Sequence, residues 1–463
     1  MDREVLSRVL REALARGGDF ADVFVEDSTR YSVSMENKKI ESPSVGNVIG
    51  AGVRVIKDGV VYYASTEDIS EKGLLDAARF VASMVGSSSK DVEINLKPLT
   101  PPFQWPERTL IMPDTIRSVA ESIVMKANEG AWAFSERIVQ VSVSLVQSQR
   151  HIWVANSLGN YTEEFRVLTR LAVSAVAKLG SYLERGFSAP GKAIGIELFE
   201  TSVDPYEVGQ KAAKVAVTNL SAIDAPSGNL PVILAPGFGG VIFHEATGHG
   251  LEADGIRKGT SVFKDKLGQK IGTDKVTLID SGTLSGEWGS GQFDDEGFEN
   301  QHTVLIENGV LKAYMVDYRE HLLTGLPHSS SGRRQSYLHA PLPRMRNTYL
   351  APGNDKFEDM VADIKKGIYA VRFGGGQVDP STGNFVFGVT EGYLIENGKI
   401  GKAVKNVTLA GNGLEILSHI VGVSGEEDMD FSPGMCGKGG QSVPAGIGQP
   451  YVYVDSILVG GTK

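Results

Sequence analysis

"LPVILAPGFGGVIFHEATGHGLEAD" (residues 230–254) combines an apolar run, a glycine-rich turn and three side chains capable of chemistry. "LPVILA" (230–235) reads as a buried strand. "PGFGG" (236–240) turns it into a helical segment carrying His244, Glu245 and His249. The pattern is H-E-x-x-x-H, one residue longer than the zinc-protease motif H-E-x-x-H. In a regular α-helix a separation of five leaves the two imidazoles roughly 140° apart. A π-type turn, bonded five residues apart, would bring them to one side. Gly248 and Gly250 flank His249 and permit that backbone departure.

A catalytic zinc takes three protein ligands and keeps one open position. The candidates for the third ligand are Cys436, Glu252 and Asp254. Cys436 is the only cysteine, so no intrachain disulfide forms. Its setting, "FSPGMCGKGGQSVPAGIGQPYV" (431–452), is rich in Gly and Pro, a poor place for a core residue. A His₂Cys set suits zinc. Glu245 adjoins a ligand, so it can act as general base, taking a proton from metal-bound water and passing it to a leaving amine. Its other reading is a partner that orients a histidine. The remaining histidines (151, 302, 321, 328, 339 and 419) are scattered, and most read as packing or surface residues. "PGFGG" lacks the Lys-Ser/Thr of a P-loop, and no G-x-S-x-G elbow is present.

Outward from that segment, 463 residues exceed one ordinary core, so two or three domains are expected. Hydrophobic content of 41% and aromatic content of 8% are those of a globular protein. A net charge of −10 argues against a grip on nucleic-acid phosphates. No apolar run is long enough to predict a membrane span. The start, "MDREVLSRVLREALARGG", lacks the apolar core of a signal peptide, and a cytoplasmic location is expected.

Helices are predicted over 4–15, 70–85, about 114–129, 204–220 and about 355–366. Asp204, Pro205 and Glu207 mark the start of the fourth. Asp58-Gly59, and the Asn-Gly pairs within 303–316 and 392–404, predict three hairpins. Residues 139–145 alternate as a half-buried strand, with 151–155 and 163–178 as partners, while 87–106 reads as an exposed connection. "SAIDAPSGN" (221–229) marks a boundary. The expected fold class is α+β: an N-terminal helix and antiparallel-sheet domain (1–222), then a β-rich C-terminal domain (223–463).

Several blocks together resemble the TldD/PmbA family, specifically its TldD-type metallopeptidase subunit. They are "FHEATGHGLEAD" (243–254), "DDEG" (294–297) followed by "TVLIENGVLKAYMVD" (303–317), "SGRRQSYLHAPLPRMRNTYL" (331–350), "VTEGYLIENGKIGKAVKNVTLAGNGLEIL" (389–417) and "GMCGKGGQSVPAGIGQP" (434–450). The resemblance implies a zinc-dependent peptidase acting on unfolded or extended peptides. It implies one Zn2+ per chain on His244, His249 and Cys436, with Glu245 catalytic. It places the chemistry in the C-terminal domain and leaves scaffold, cleft and partner contacts to the N-terminal one. It further implies a heterodimer with a TldE/PmbA-type paralogue, a homodimer being the alternative. Arg333, Arg334, Arg344 and Tyr349, in one of these blocks, are candidates for substrate contact. The rival readings are a non-catalytic peptide- or partner-binding subunit and a zinc hydrolase of a small amide.

Overall fold

The apolar stripe Leu6, Val9, Leu10, Ala13 and Leu14 forms the buried side of the first helix, Arg3–Leu14. Asp2 caps it by accepting from the Glu4 amide at 2.8 Å. The computed structural model describes residues 1–86, 92–105 and 117–461.

The N-terminal half is built on one antiparallel sheet. Its main strands lie in the order Val60–Thr66, Ser44–Lys57, Phe20–Glu36, Ile138–Asn156, Asn160–Leu179 and Tyr182–Ser188. Alternation along Phe20–Glu36 assigns each residue a face. Ala21, Val23 and Val25 pack under the helices Arg3–Leu14 and Glu71–Val85. Tyr31, Val33 and Met35, on the same face, pack with the helices Arg117–Phe134 and Pro205–Leu220. Two helix pairs therefore lie side by side on one long sheet. The opposite face carries Asp22 and Phe24, and Phe24 packs with Ile152 and Val154 of the same sheet and with Tyr337 of the C-terminal half.

The C-terminal half holds a ring of strands. Gly228–Leu234, Lys366–Asp379, Asn384–Glu396, Val407–Asn412 and Val452–Gly460 pair successively, and the pairings return to their start. Gly228–Leu234 runs parallel to Lys366–Asp379 and antiparallel to Val452–Gly460. A second sheet contains Leu278–Ser281, Asn347–Leu350 and the hairpin Asp430–Lys438/Gln441–Gln449. Ile242, Phe243, Ala246 and Leu251 share one apolar core with Phe387 and Leu409 of the ring and Val443 and Ile447 of the second sheet. That core fixes the histidine-bearing segment between the two.

The three hairpin turns are as expected. Asp58-Gly59, Asn308-Gly309 and Asn397-Gly398 all adopt positive φ at both positions, as a type I′ turn demands. Other expectations need correction. Residues 151–155 do not pair with 139–145; both belong to the continuous strand Ile138–Asn156. The helix expected over 355–366 is only Phe357–Ala362, because Lys366 already opens a fourteen-residue strand. Residues 87–91 and 106 of the expected exposed connection, and the expected helix start at 114–116, lie outside the described residues. Ile94 and Leu96 in that connection are buried, and the Ser7 hydroxyl donates to the Ile94 carbonyl at 2.6 Å. Among the described residues, no helix is long and apolar enough to cross a membrane.

Candidate metal centre

The motif does not continue as a regular helix. Val241–Phe243 is helical, and His244–Gly248 then forms a single π-turn. The His249 amide donates to the carbonyl of His244, five residues back. The wider turn brings the two imidazoles together, edge to face, with centroids 5.4 Å apart. Gly413 makes room for it: a Cβ there would lie 1.9 Å from the Ala246 carbonyl oxygen.

Cys436 arrives from the Asp430–Lys438 strand, whose hairpin turns on Gly439-Gly440, both at positive φ. It is fully buried, and its Sγ lies 3.5 Å from His249 Nε2. One donor atom from each of His244, His249 and Cys436 lies within 4.8 Å of the others. Glu252 and Asp254 do not join this group. Glu252 Oε2 instead sits 3.1 Å from His249 Nδ1 and 2.9 Å from Lys438 Nζ. Asp254 pairs with Lys438 at 2.6 Å and with Lys258 at 3.3 Å.

The electrostatics follow from this packing. Burial pushes the Glu252 carboxyl up, but Lys438 and His249 outweigh it and hold it at about 2. Burial opposes charge on His249, while Glu252 and Cys436 raise its affinity for a proton well above the usual value. Burial alone would raise the Cys436 thiol; His244 and His249 hold it well below the ordinary range. Glu245 is the most accessible of the group, its side chain one-quarter exposed, with Oε2 3.7 Å from His249 Nε2.

Two imidazoles and a thiol poised to ionise form a donor set that fits zinc. The buried His244 Nδ1, which has no hydrogen-bond partner among the described residues, is consistent with a site built for an ion. A carboxylate behind His249 is the arrangement that fixes which imidazole nitrogen is free to bind.

The motif-block arginines are buried. Arg344 donates through Nη2 to the Cys436 carbonyl. Arg333 donates to the Met345 carbonyl at 2.5 Å, and Arg334 to Asp22 at 2.8 Å. Tyr349 packs edge-on against Phe431, centroids 5.3 Å apart. Sequence reasoning named Glu252 only as a possible ligand and did not consider Lys438. The three-residue spacing from His249 was the available signal for Glu252 as a histidine partner; Lys438 gave none.

Three profiles of one family match consecutive parts of the chain. They are PmbA/TldA metallopeptidase domain 1 at residues 21–85, the central domain at 113–220 and the C-terminal domain at 227–461. The chain belongs to the PmbA/TldD metallopeptidase family. A Buchnera aphidicola (Schizaphis graminum) relative named "Metalloprotease TldD homolog" is 38% identical over 453 residues, covering 96% of this chain and 93% of its own. A Saccharolobus solfataricus relative named "Zinc metalloprotease TldD homolog" is 36% identical over 262 residues, covering 56% of this chain and 58% of its own. The crystal structure of TldE from Thermococcus kodakarensis shares the fold, with a TM-score of 0.78 at 19% identity, over 99% of this chain and 100% of that one. The PmbA/TldD profile that spans the ring and second sheet also spans His244, Glu245, His249 and Cys436.

Proposed function

We propose that this chain is a zinc-dependent peptidase acting on unfolded or extended peptides, with His244, His249 and Cys436 as zinc ligands and Glu245 as general base. The observation that carries the reading is the convergence of three ligand-type atoms within 4.8 Å, with the Glu245 carboxylate beside them. Zinc held there would polarise the scissile carbonyl and make a bound water a stronger acid. Glu245 accepts the proton of the attacking water and returns it to the leaving amine. Glu252 accepts the Nδ1 proton of His249 and so leaves Nε2 free on the side of Cys436. Residues 223–463 carry the chemistry, and residues 1–222 supply scaffold, cleft walls and partner contacts. A TldE/PmbA-type paralogue is the partner that would enclose the centre, and the pair works in the cytoplasm. A centre this buried favours a thin, extended chain over a folded protein.

The test pairs elemental analysis with a cleavage assay on unstructured peptides of graded length, with and without a TldE/PmbA-type subunit. Cys436→Ala should lose one metal equivalent relative to wild type. Glu245→Ala should keep that equivalent and lose cleavage by about 10²–10⁴-fold. A fully active Glu245→Ala chain removes the general-base role. Undiminished metal in Cys436→Ala moves the third ligand elsewhere. Equal cleavage of single amides and long peptides favours a small-amide hydrolase. Absence of both metal and cleavage favours a binding subunit.

A further inference from the structure

A second cluster of ligand-type atoms lies away from His244 and Cys436, in the "DDEG" block and at His328. One oxygen of Asp294, one of Glu296 and one nitrogen of His328 lie within 4.8 Å of one another. His328 Nε2 is 3.9 Å from Asp294 Oδ2 and 3.8 Å from Glu296 Oε2. These gaps are too long for hydrogen bonds. Two ligands on one ion with bonds of about 2.0–2.2 Å lie roughly 3.3–3.6 Å apart in a tetrahedral set, so a small inward shift would seat an ion here.

The loop is set to aim these groups. The amides of Glu296 and Phe298 both donate to Asp294 Oδ1 at 2.9 Å, which turns Oδ2 toward His328. Asp294 is fully buried, and Oδ2 has no hydrogen-bond partner among the described residues. The same is true of His328 Nε2, whose ring is held 4.4 Å from that of Phe298. Two buried polar atoms that face one another without a protein hydrogen-bond partner are a costly arrangement unless a ligand satisfies them. Charge points the same way. Glu296 Oε1 meets Arg54 at 2.7 Å, but neither Asp294 nor the nearby buried Asp317 has a Lys or Arg within ion-pair distance among the described residues.

We propose that Asp294, Glu296 and His328 hold a second divalent ion, which fastens the C-terminal domain to the N-terminal sheet. Glu296 is the link, since its other oxygen holds Arg54, and Arg54 holds Asp22. Two carboxylates and an imidazole, with no sulfur, suit Mn2+ or Zn2+.

The test is metal stoichiometry on the full chain, loaded with excess Zn2+ or, separately, Mn2+, then desalted and measured by elemental analysis. Wild type should hold two equivalents. Asp294→Asn and His328→Ala should each lose one and keep the equivalent that Cys436→Ala loses. The Asp294→Asn/Cys436→Ala double variant should hold none. A single wild-type equivalent that disappears in Cys436→Ala overturns the second site without any folding requirement on the other variants. Two equivalents unchanged in both Asp294→Asn and His328→Ala also overturn it. A single equivalent that disappears in Asp294→Asn but persists in Cys436→Ala supports this site and instead counts against the His₂Cys centre.

Discussion

At the scale of single residues, Glu252 lies behind His249, at the ring nitrogen opposite the one that faces Cys436. It is buried and bonded to His249 Nδ1, and it faces Lys438 at 2.9 Å and Arg344 at 4.0 Å. Its carboxylate faces His249 Nδ1 and offsets the positive charge of Lys438. Glu252→Gln keeps the shape, removes the charge and leaves Lys438 facing a neutral amide. Metal affinity should fall about 10–100-fold, measured by competition with a chromophoric chelator. Unchanged affinity would show that the His249–Glu252 bond does not bear on metal binding. Of the candidate site, His244, Glu245 and His249 stood out in the sequence because they sit in one short motif, while Cys436 was one of three candidates for the third ligand until the family resemblance singled it out. The role of Glu252 was not, because a carboxylate three residues after a histidine can be a ligand, a partner or a solvated acid. Only the position of Lys438, nearly two hundred residues later in the chain, decides among these.

At the scale of elements, the five-residue histidine spacing needs the π-turn, and the π-turn needs space. A widened turn pushes backbone outward, and here it pushes against Gly413. A Cβ at that position would meet the Ala246 carbonyl oxygen at 1.9 Å, a backbone atom that cannot swing aside. Gly413→Ala should therefore cost about 1–3 kcal/mol, as overpacking does, and should weaken metal binding as well. Thermal unfolding and chelator competition measure the two effects. Loss of stability with unaltered metal affinity would mean that the turn is not what Gly413 accommodates. The π-turn itself was legible from spacing and glycine placement, and so were the three hairpins built on Asp-Gly and Asn-Gly. Strand lengths were less legible. Phe20–Glu36 and Ile138–Asn156 each contain a polar middle, Glu26–Arg30 and Gln147–His151, which reads as a break. The ladder between them continues through that region in register, Asp27 opposite His151 and Arg30 opposite Ser148. Backbone pairing in a wide antiparallel sheet carries polar residues that local patterning assigns to a loop.

At the scale of the whole molecule, the two halves meet through buried charge, which no local pattern reveals. Arg54 alternates with apolar residues in "GVRVIKDG" and looks like a solvent-facing strand residue. It is instead fully buried, donating to Asp22 at 2.6 Å and to Glu296 at 2.7 Å. Arg334 donates to the other oxygen of Asp22, and Arg166 bridges Glu164 to Asp295 at 2.9 and 2.7 Å. Taking such charges out of water is expensive, and removing one partner strands the rest. Arg54→Met removes the cation that two buried carboxylates share. It should destabilise the chain by about 3–5 kcal/mol. The control is Arg8→Met, which breaks an exposed pair with Glu71 at 2.7 Å and should cost no more than about 1 kcal/mol. Urea unfolding followed separately at Trp153 in the N-terminal sheet and Trp288 in the C-terminal half resolves the location of the loss. In Arg54→Met the two transitions should move apart, because one of the buried contacts between the halves is removed while Arg334–Asp22 and Arg166–Asp295 remain. Coincident transitions with a loss matching that of Arg8→Met would mean that the remaining contacts, among them Phe24 with Tyr337 and Arg334 with Asp22, couple the halves without the Arg54 pairs.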